Sequence, residues 1–217
     1  MNASLTVAQI MSEAEILDHA ERTRTQARQT TSVYPDMSMD DAYRVQAAWL
    51  DLKLARGERL AGHKIGLTSR AMQAAMKIST PDSGFLTADM IFMPNTTLVA
   101  ADFTDPKIEI ELAFVLATDL AGTDLTIDDV LDATEYVSPA VELIAARTPR
   151  TNSDGRTRTV IDTISDNAAD AGIICGGRRI APREVDLRWI SALGYRNGII
   201  EETGVAAGVL DHPAKGI

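Results

Sequence analysis

Hydrophobic and polar positions alternate most sharply in residues 107–117, Lys107-Ile108-Glu109-Ile110-Glu111-Leu112-Ala113-Phe114-Val115-Leu116-Ala117. A period of two is the signature of a strand, and the apolar run that closes the stretch is that of a strand buried on both faces. The pattern predicts a strand that starts half exposed and then enters a core. Ile108, Ile110 and Leu112 share one face. Glu109 and Glu111 share the other, with α-carbons roughly 6.5–7 Å apart at about 3.3 Å of rise per residue.

Upstream the period is helical. Ile10, Ala14, Leu17 and Ala20 recur among charged residues and predict a helix over residues 6–30. Val33-Tyr34-Pro35-Asp36 breaks it, because proline disfavours helix before it. Ser38, followed by Asp40 and Asp41, opens a second helix with an apolar stripe of Tyr43, Ala47, Leu50 and Leu54, which Gly57 stops after Arg56. Residues 60–68 read as a strand with Lys64, Gly66 and Thr68 on one face and Ile65 and Leu67 on the other. Ser69 caps a short helix over residues 70–78, and Thr80-Pro81-Asp82-Ser83-Gly84 is a turn by composition. Residues 85–99 suit short strands around Pro94-Asn95. Thr126, with Asp129 three residues on, starts a helix that ends at Thr134. After Pro139 a strand carries Glu142 between Val141 and Leu143. The polar run at 147–158 reads as a loop, and residues 162–170 lead into a glycine-bounded strand carrying Cys175. Residues 186–193 and 198–202 form a hairpin, for which Asn197-Gly198 is a strong signal.

Composition narrows the class. The 217 residues are 45% hydrophobic and 24% charged, enough for one sizeable core. A net charge of -10 argues against nucleic acid or an anionic membrane as partner, although a bound metal ion reverses the local sign and admits an anionic substrate. The single cysteine, Cys175, excludes an internal disulfide and fits a reduced compartment. The N-terminus lacks the pattern of a signal peptide and no apolar run reaches membrane-spanning length, so the cytoplasm is expected.

Candidate chemistry follows from the carboxylates. Glu109 and Glu111 repel each other at the mouth of a core. They are either solvated on an edge strand or compensated by a hard divalent cation, which takes carboxylate oxygens at about 2.0–2.6 Å. Glu142 is costly inside an apolar strand unless it is paired or metal-bound, which makes it the natural third ligand. Lys64 beside Gly66 either snorkels from a strand end or faces something small that approaches the backbone. Asp82 either stabilises its own turn or is a catalytic carboxylate on a rigid loop. His63, on the opposite face from Lys64, reads as structural. Arg147, Arg150, Arg156 and Arg158 belong to a surface loop or to a lid that clamps an anion. No phosphate loop or dinucleotide fingerprint is present.

Taken together, Gly62-His63-Lys64-Ile65-Gly66-Leu67-Thr68, Pro81-Asp82-Ser83-Gly84, Ile108-Glu109-Ile110-Glu111-Leu112-Ala113 and Pro139-Ala140-Val141-Glu142 resemble the fumarylacetoacetate hydrolase superfamily. Asp162-Thr163-Ile164-Ser165-Asp166-Asn167-Ala168-Ala169 and Asp186-Leu187-Arg188-Trp189-Ile190-Ser191-Ala192-Leu193 are similar to its branch of bacterial 2-oxo acid hydratases and decarboxylases of aromatic meta-cleavage. The resemblance covers nearly the whole chain. It implies an α+β fold, a mixed β-roll core over residues 59–217 with an N-terminal helical segment at 1–58. Family members usually continue past the position of Ile217 with another glycine-rich strand segment, so a C-terminal part of the roll is expected beyond it. The resemblance further implies Mg²⁺ or Mn²⁺ held by Glu109, Glu111 and Glu142, with Lys64 and Asp82 as catalytic lysine and aspartate. It implies a homo-oligomer acting on a small 2-oxo dicarboxylate, with hydration of 2-oxohept-4-ene-1,7-dioate to 4-hydroxy-2-oxoheptanedioate as the expected reaction. The alternatives are decarboxylation or tautomerisation of a related 2-oxo acid, or a non-catalytic truncated subunit.

Overall fold

The computed structural model describes residues 4–217. Helices α1 (Val7–Thr23) and α2 (Met39–Ala55) each open on a capping box, formed by Thr6 with Gln9 and by Ser38 with Asp41. The expected first helix runs too far. It stops at Thr23, where Arg24 turns left-handed at φ 57°. No glycine or proline marks this end. The next residues are taken up by a distant segment instead. Ala27 N donates to the Arg147 carbonyl, Gln26 to the carbonyls of Ala146 and Thr148, and Gln29 to that of Pro149. Long-range pairing overrides a weak local propensity here.

The chain forms two compact units. The first comprises the chain up to Gly66, Asp82–Ile108 and Leu143–Ile173; the second comprises Leu67–Pro81, Glu109–Glu142 and Ile174–Ile217. In the first, Ile10, Ala14 and Leu17 of α1 pack with Val45, Ala48 and Trp49 of α2, with Phe85 and with Ile164. Trp49 is fully buried, meets Phe85 edge-on at 5.9 Å, and has the Arg147 guanidinium 4.9 Å from its ring centre. Each large apolar side chain so buried stabilises by about 1.5–3 kcal/mol, before the entropy cost of ordering.

Strand β1 (Leu60–Gly66) pairs antiparallel with β2 (Asp82–Thr87), and α3 (Arg70–Met76), capped by Ser69, lies between them in sequence. Strands β3 (Ile91–Phe92), β4 (Pro106–Leu116), β5 (Thr134–Ala145) and β6 (Asp170–Cys175) form a sheet in the order β3-β6-β5-β4. Helices α4 (Ile127–Ala133) and α5 (Val160–Ser165) start on capping boxes of Thr126 with Asp129 and Thr159 with Asp162. Strands β7 (Ser191–Arg196) and β8 (Ile199–Val205) close the hairpin through Asn197 and Gly198, both at positive φ. Leu187–Trp189 is a single helical turn, not part of that hairpin's first strand. Among the described residues no helix is long and apolar enough to cross a membrane.

Two further expectations change. Asp82 stands on β2, not on a turn, because its backbone is claimed by the ladder with β1. Strand β4 does not become fully buried, and Leu112–Val115 stay partly exposed. In the sheet order among the described residues, β4 is the edge strand, paired with a neighbour on one side only.

Candidate active site

Glu109 and Glu111 stand on β4 and Glu142 on the neighbouring β5, all within the second unit. One carboxylate oxygen from each lies within 4.8 Å of the others. Glu109 is exposed, while Glu142 is only 4% exposed. Period-two geometry places Glu109 and Glu111 on one face, and pairing of adjacent strands brings Glu142 to them. Three converging negative charges are unfavourable without a counter-charge, and an all-oxygen donor set matches a hard divalent ion. The residues therefore fit a Mg²⁺-like cation.

In the first unit the β1–β2 register sets a second constellation. Lys64 faces Gly84 and Gly66 faces Asp82, so the four share one side of the ladder, with the two charged residues on a diagonal. The two glycines form its floor. A Cβ on Gly66 would collide with Asp82 Oδ1 and lie 2.9 Å from Lys64 Nζ. Asp82 is 3% exposed, and its Oδ1 is buried without a hydrogen bond among the described residues. Burial pushes the Asp82 carboxyl above the usual carboxylate range, while the Lys64 charge and the Gly66 N–H pull the other way. Helix α2 steadies the strand at the next residue. Ser83 N donates to the Tyr43 hydroxyl, and Gln46 Nε2 donates to the Ser83 carbonyl. His63 is exposed, on the face opposite Lys64.

The turn from α5 to β6 packs against the same ladder. Asn167, Ala168 and Ala169 are all left-handed, at φ 53°, 51° and 60°. Each such non-glycine residue costs roughly 1–2 kcal/mol, so the turn must be held from outside. Asn167 does part of this, accepting from Phe85 N at 2.7 Å and donating to the Phe85 carbonyl at 3.0 Å. Gly84 makes the approach possible, because a Cβ there would lie 2.7 Å from the Asn167 carbonyl oxygen. Arg147 does the rest. Its backbone N and Nε donate to the Asp166 carboxylate, Nη2 to the Asp166 carbonyl and Nη1 to the Asp170 carbonyl. The pair is buried, so Arg147 is no loop arginine. The rest of that run is an ordered turn, with Asn152 bonded to Gly155 and Arg156 and Arg158 N to the Arg150 carbonyl. Sequence reasoning passed over Asp170. Its one signal was a carboxylate opening an otherwise apolar strand, as with Glu142.

No protein-family model matches the chain. The 2-oxo-hept-4-ene-1,7-dioate hydratase of Escherichia coli is 57% identical over 205 residues, 94% of this chain and 77% of that protein. The chain belongs to the fumarylacetoacetate hydrolase-type family, in its hydratase and decarboxylase branch. A 4-oxalocrotonate decarboxylase of Pseudomonas sp. (strain CF600) is 37% identical over all of this chain and 80% of its own length. Among solved structures, the 4-oxalocrotonate decarboxylase from Pseudomonas putida G7, complexed with magnesium and adipate, superposes with a TM-score of 0.91 at 35% identity, covering 98% of this chain and 79% of that one. Among the described residues, the fold is thus the family's mixture of helices and sheets.

Proposed function

We propose that the chain is a divalent-metal-dependent hydratase that adds water to 2-oxohept-4-ene-1,7-dioate, or its dienol tautomer, to give 4-hydroxy-2-oxoheptanedioate. The observation that carries the metal-dependent reading is the convergence of Glu109, Glu111 and Glu142 within 4.8 Å. These three residues would hold Mg²⁺ or Mn²⁺. When bound, such an ion supplies positive charge to the oxygens of a 2-oxo acid and so favours its enolate form. The choice of hydration and of this substrate is supported by the 57% identity to the hydratase against 37% to the decarboxylase.

Hydration moves protons along the conjugated chain and adds the elements of water, so it needs general acid–base groups. Asp82 suits that work, since burial lets its carboxyl hold a proton nearer to neutral pH and its Oδ1 accepts no hydrogen bond among the described residues. Lys64, on the same face of the ladder, serves the same transfer as acid or as orienter of water. Decarboxylation of a related 2-oxo acid is the second reading, favoured by the fit to the decarboxylase structure. It shares the cation and the acid–base pair.

Calorimetric titration with Mg²⁺ and a 2-oxo acid tests the metal set. The wild-type chain should bind the two with linked affinity. Glu111→Gln should lose most of the metal binding and keep the wild-type circular dichroism spectrum. Metal binding that survives Glu111→Gln undiminished would remove the three glutamates from this role.

A further inference from the structure

Asp170 is the residue that the left-handed turn delivers into β6. It is 0% exposed. Its Oδ1 accepts from Gly172 N at 2.9 Å, and its Oδ2, also buried, accepts no hydrogen bond from a described residue. Two cations act on it, Lys64 and Arg147. Arg147 is committed elsewhere, since Nε and both Nη groups are spent on Asp166 and on two carbonyls. Lys64 also acts on Asp82. The geometry agrees. Asn167, three residues before Asp170, lies against Gly84, and Gly84 is the ladder partner of Lys64.

A buried carboxylate with one oxygen unsatisfied weakens the fold. Here it is kept, beside a lysine, at the end of a turn that is itself strained. Strain and buried charge that packing does not need gather at sites under functional constraint. We propose that Asp170 is a positioning residue, whose buried carboxylate, together with Asp82, fixes the Lys64 ammonium over the Gly66 floor. The inference rests on the reading of Lys64 as an acid–base group.

Asp170→Asn tests it, because the amide keeps the size and the acceptor for Gly172 N–H. The expected result is kcat lower by about 10–100-fold, the usual cost of losing a partner that orients a working group. KM and Mg²⁺ affinity should be unchanged, and the urea midpoint at neutral pH should be at or above wild type. In a Lys64→Met background the same change should cost no further kcat, because the two act as a unit. Full kcat in Asp170→Asn would overturn the inference. So would failure of that variant to fold, a lowered urea midpoint, or an equal loss in both backgrounds. Full activity in Lys64→Met alone would instead overturn the reading of the site on which the inference stands.

Discussion

Lys64 is a lysine near a strand end, and such residues are ordinarily solvated handles. What sets it apart is its floor: Gly66 leaves room in which the ammonium and the Asp82 carboxyl come together. Lys64→Met keeps the bulk of the stem and removes the amine. Metal affinity and thermal stability should stay near wild type while turnover falls about 10²–10⁴-fold, the usual worth of one acid–base group. Unchanged turnover would return Lys64 to the role of a strand-end residue. Asp170 gives a second prediction, in stability. Burial raises its carboxyl from 3.8 to about 6, against the pull of Lys64, the Gly172 N–H and Arg147. Between pH 3.8 and about 6 the native state therefore holds a proton that the unfolded chain releases, and at neutral pH both states carry the carboxylate. This contribution to stability is complete below pH 3.8 and is lost as pH rises through about 6. Asp170→Asn removes that dependence. Its stability relative to wild type should climb by about 2–3 kcal/mol between pH 4 and pH 7 in urea titrations. A difference that is flat with pH would show that the carboxyl titrates normally.

At the scale of elements, the site depends on the link between β2 and the turn before β6. Arg147 secures that turn with four donated bonds and lies over Trp49 in the core. Arg147→Met should lower stability by about 3–5 kcal/mol, because it leaves Asp166 buried without its cation. A urea midpoint close to wild type would mean that the turn holds itself. These elements were unequally legible in the sequence. The E-x-E strand and Glu142 stood out because charge interrupts an apolar pattern at period two. The Lys64-Gly66 face was readable for the same reason. The turn was not. Asn167-Ala168-Ala169 has no glycine to announce positive φ, and its anchor comes from 19 residues away in sequence. Arg147 looked like a surface residue because its neighbours at 149–158 are polar. Asp82 looked like a turn residue because Pro81 and Gly84 flank it, and only pairing with β1 makes it a strand residue. The early end of α1 was hidden likewise, since its competitor is the distant segment 146–149.

At the scale of the whole molecule, an acidic chain with net charge -10 is read as working on an acidic substrate. That requires local reversal of charge, which three converging glutamates achieve only with a cation. The family is shared by hydratases and decarboxylases, so the reaction, not the fold, is what remains to be measured. The direct measurement is incubation of 2-oxohept-4-ene-1,7-dioate with the chain and Mg²⁺, with dienol ultraviolet absorbance followed and the product weighed by mass spectrometry. The account predicts Mg²⁺-dependent loss of absorbance, a product heavier by one water, and no carbon dioxide. Release of carbon dioxide, or a product of unchanged mass, would contradict it.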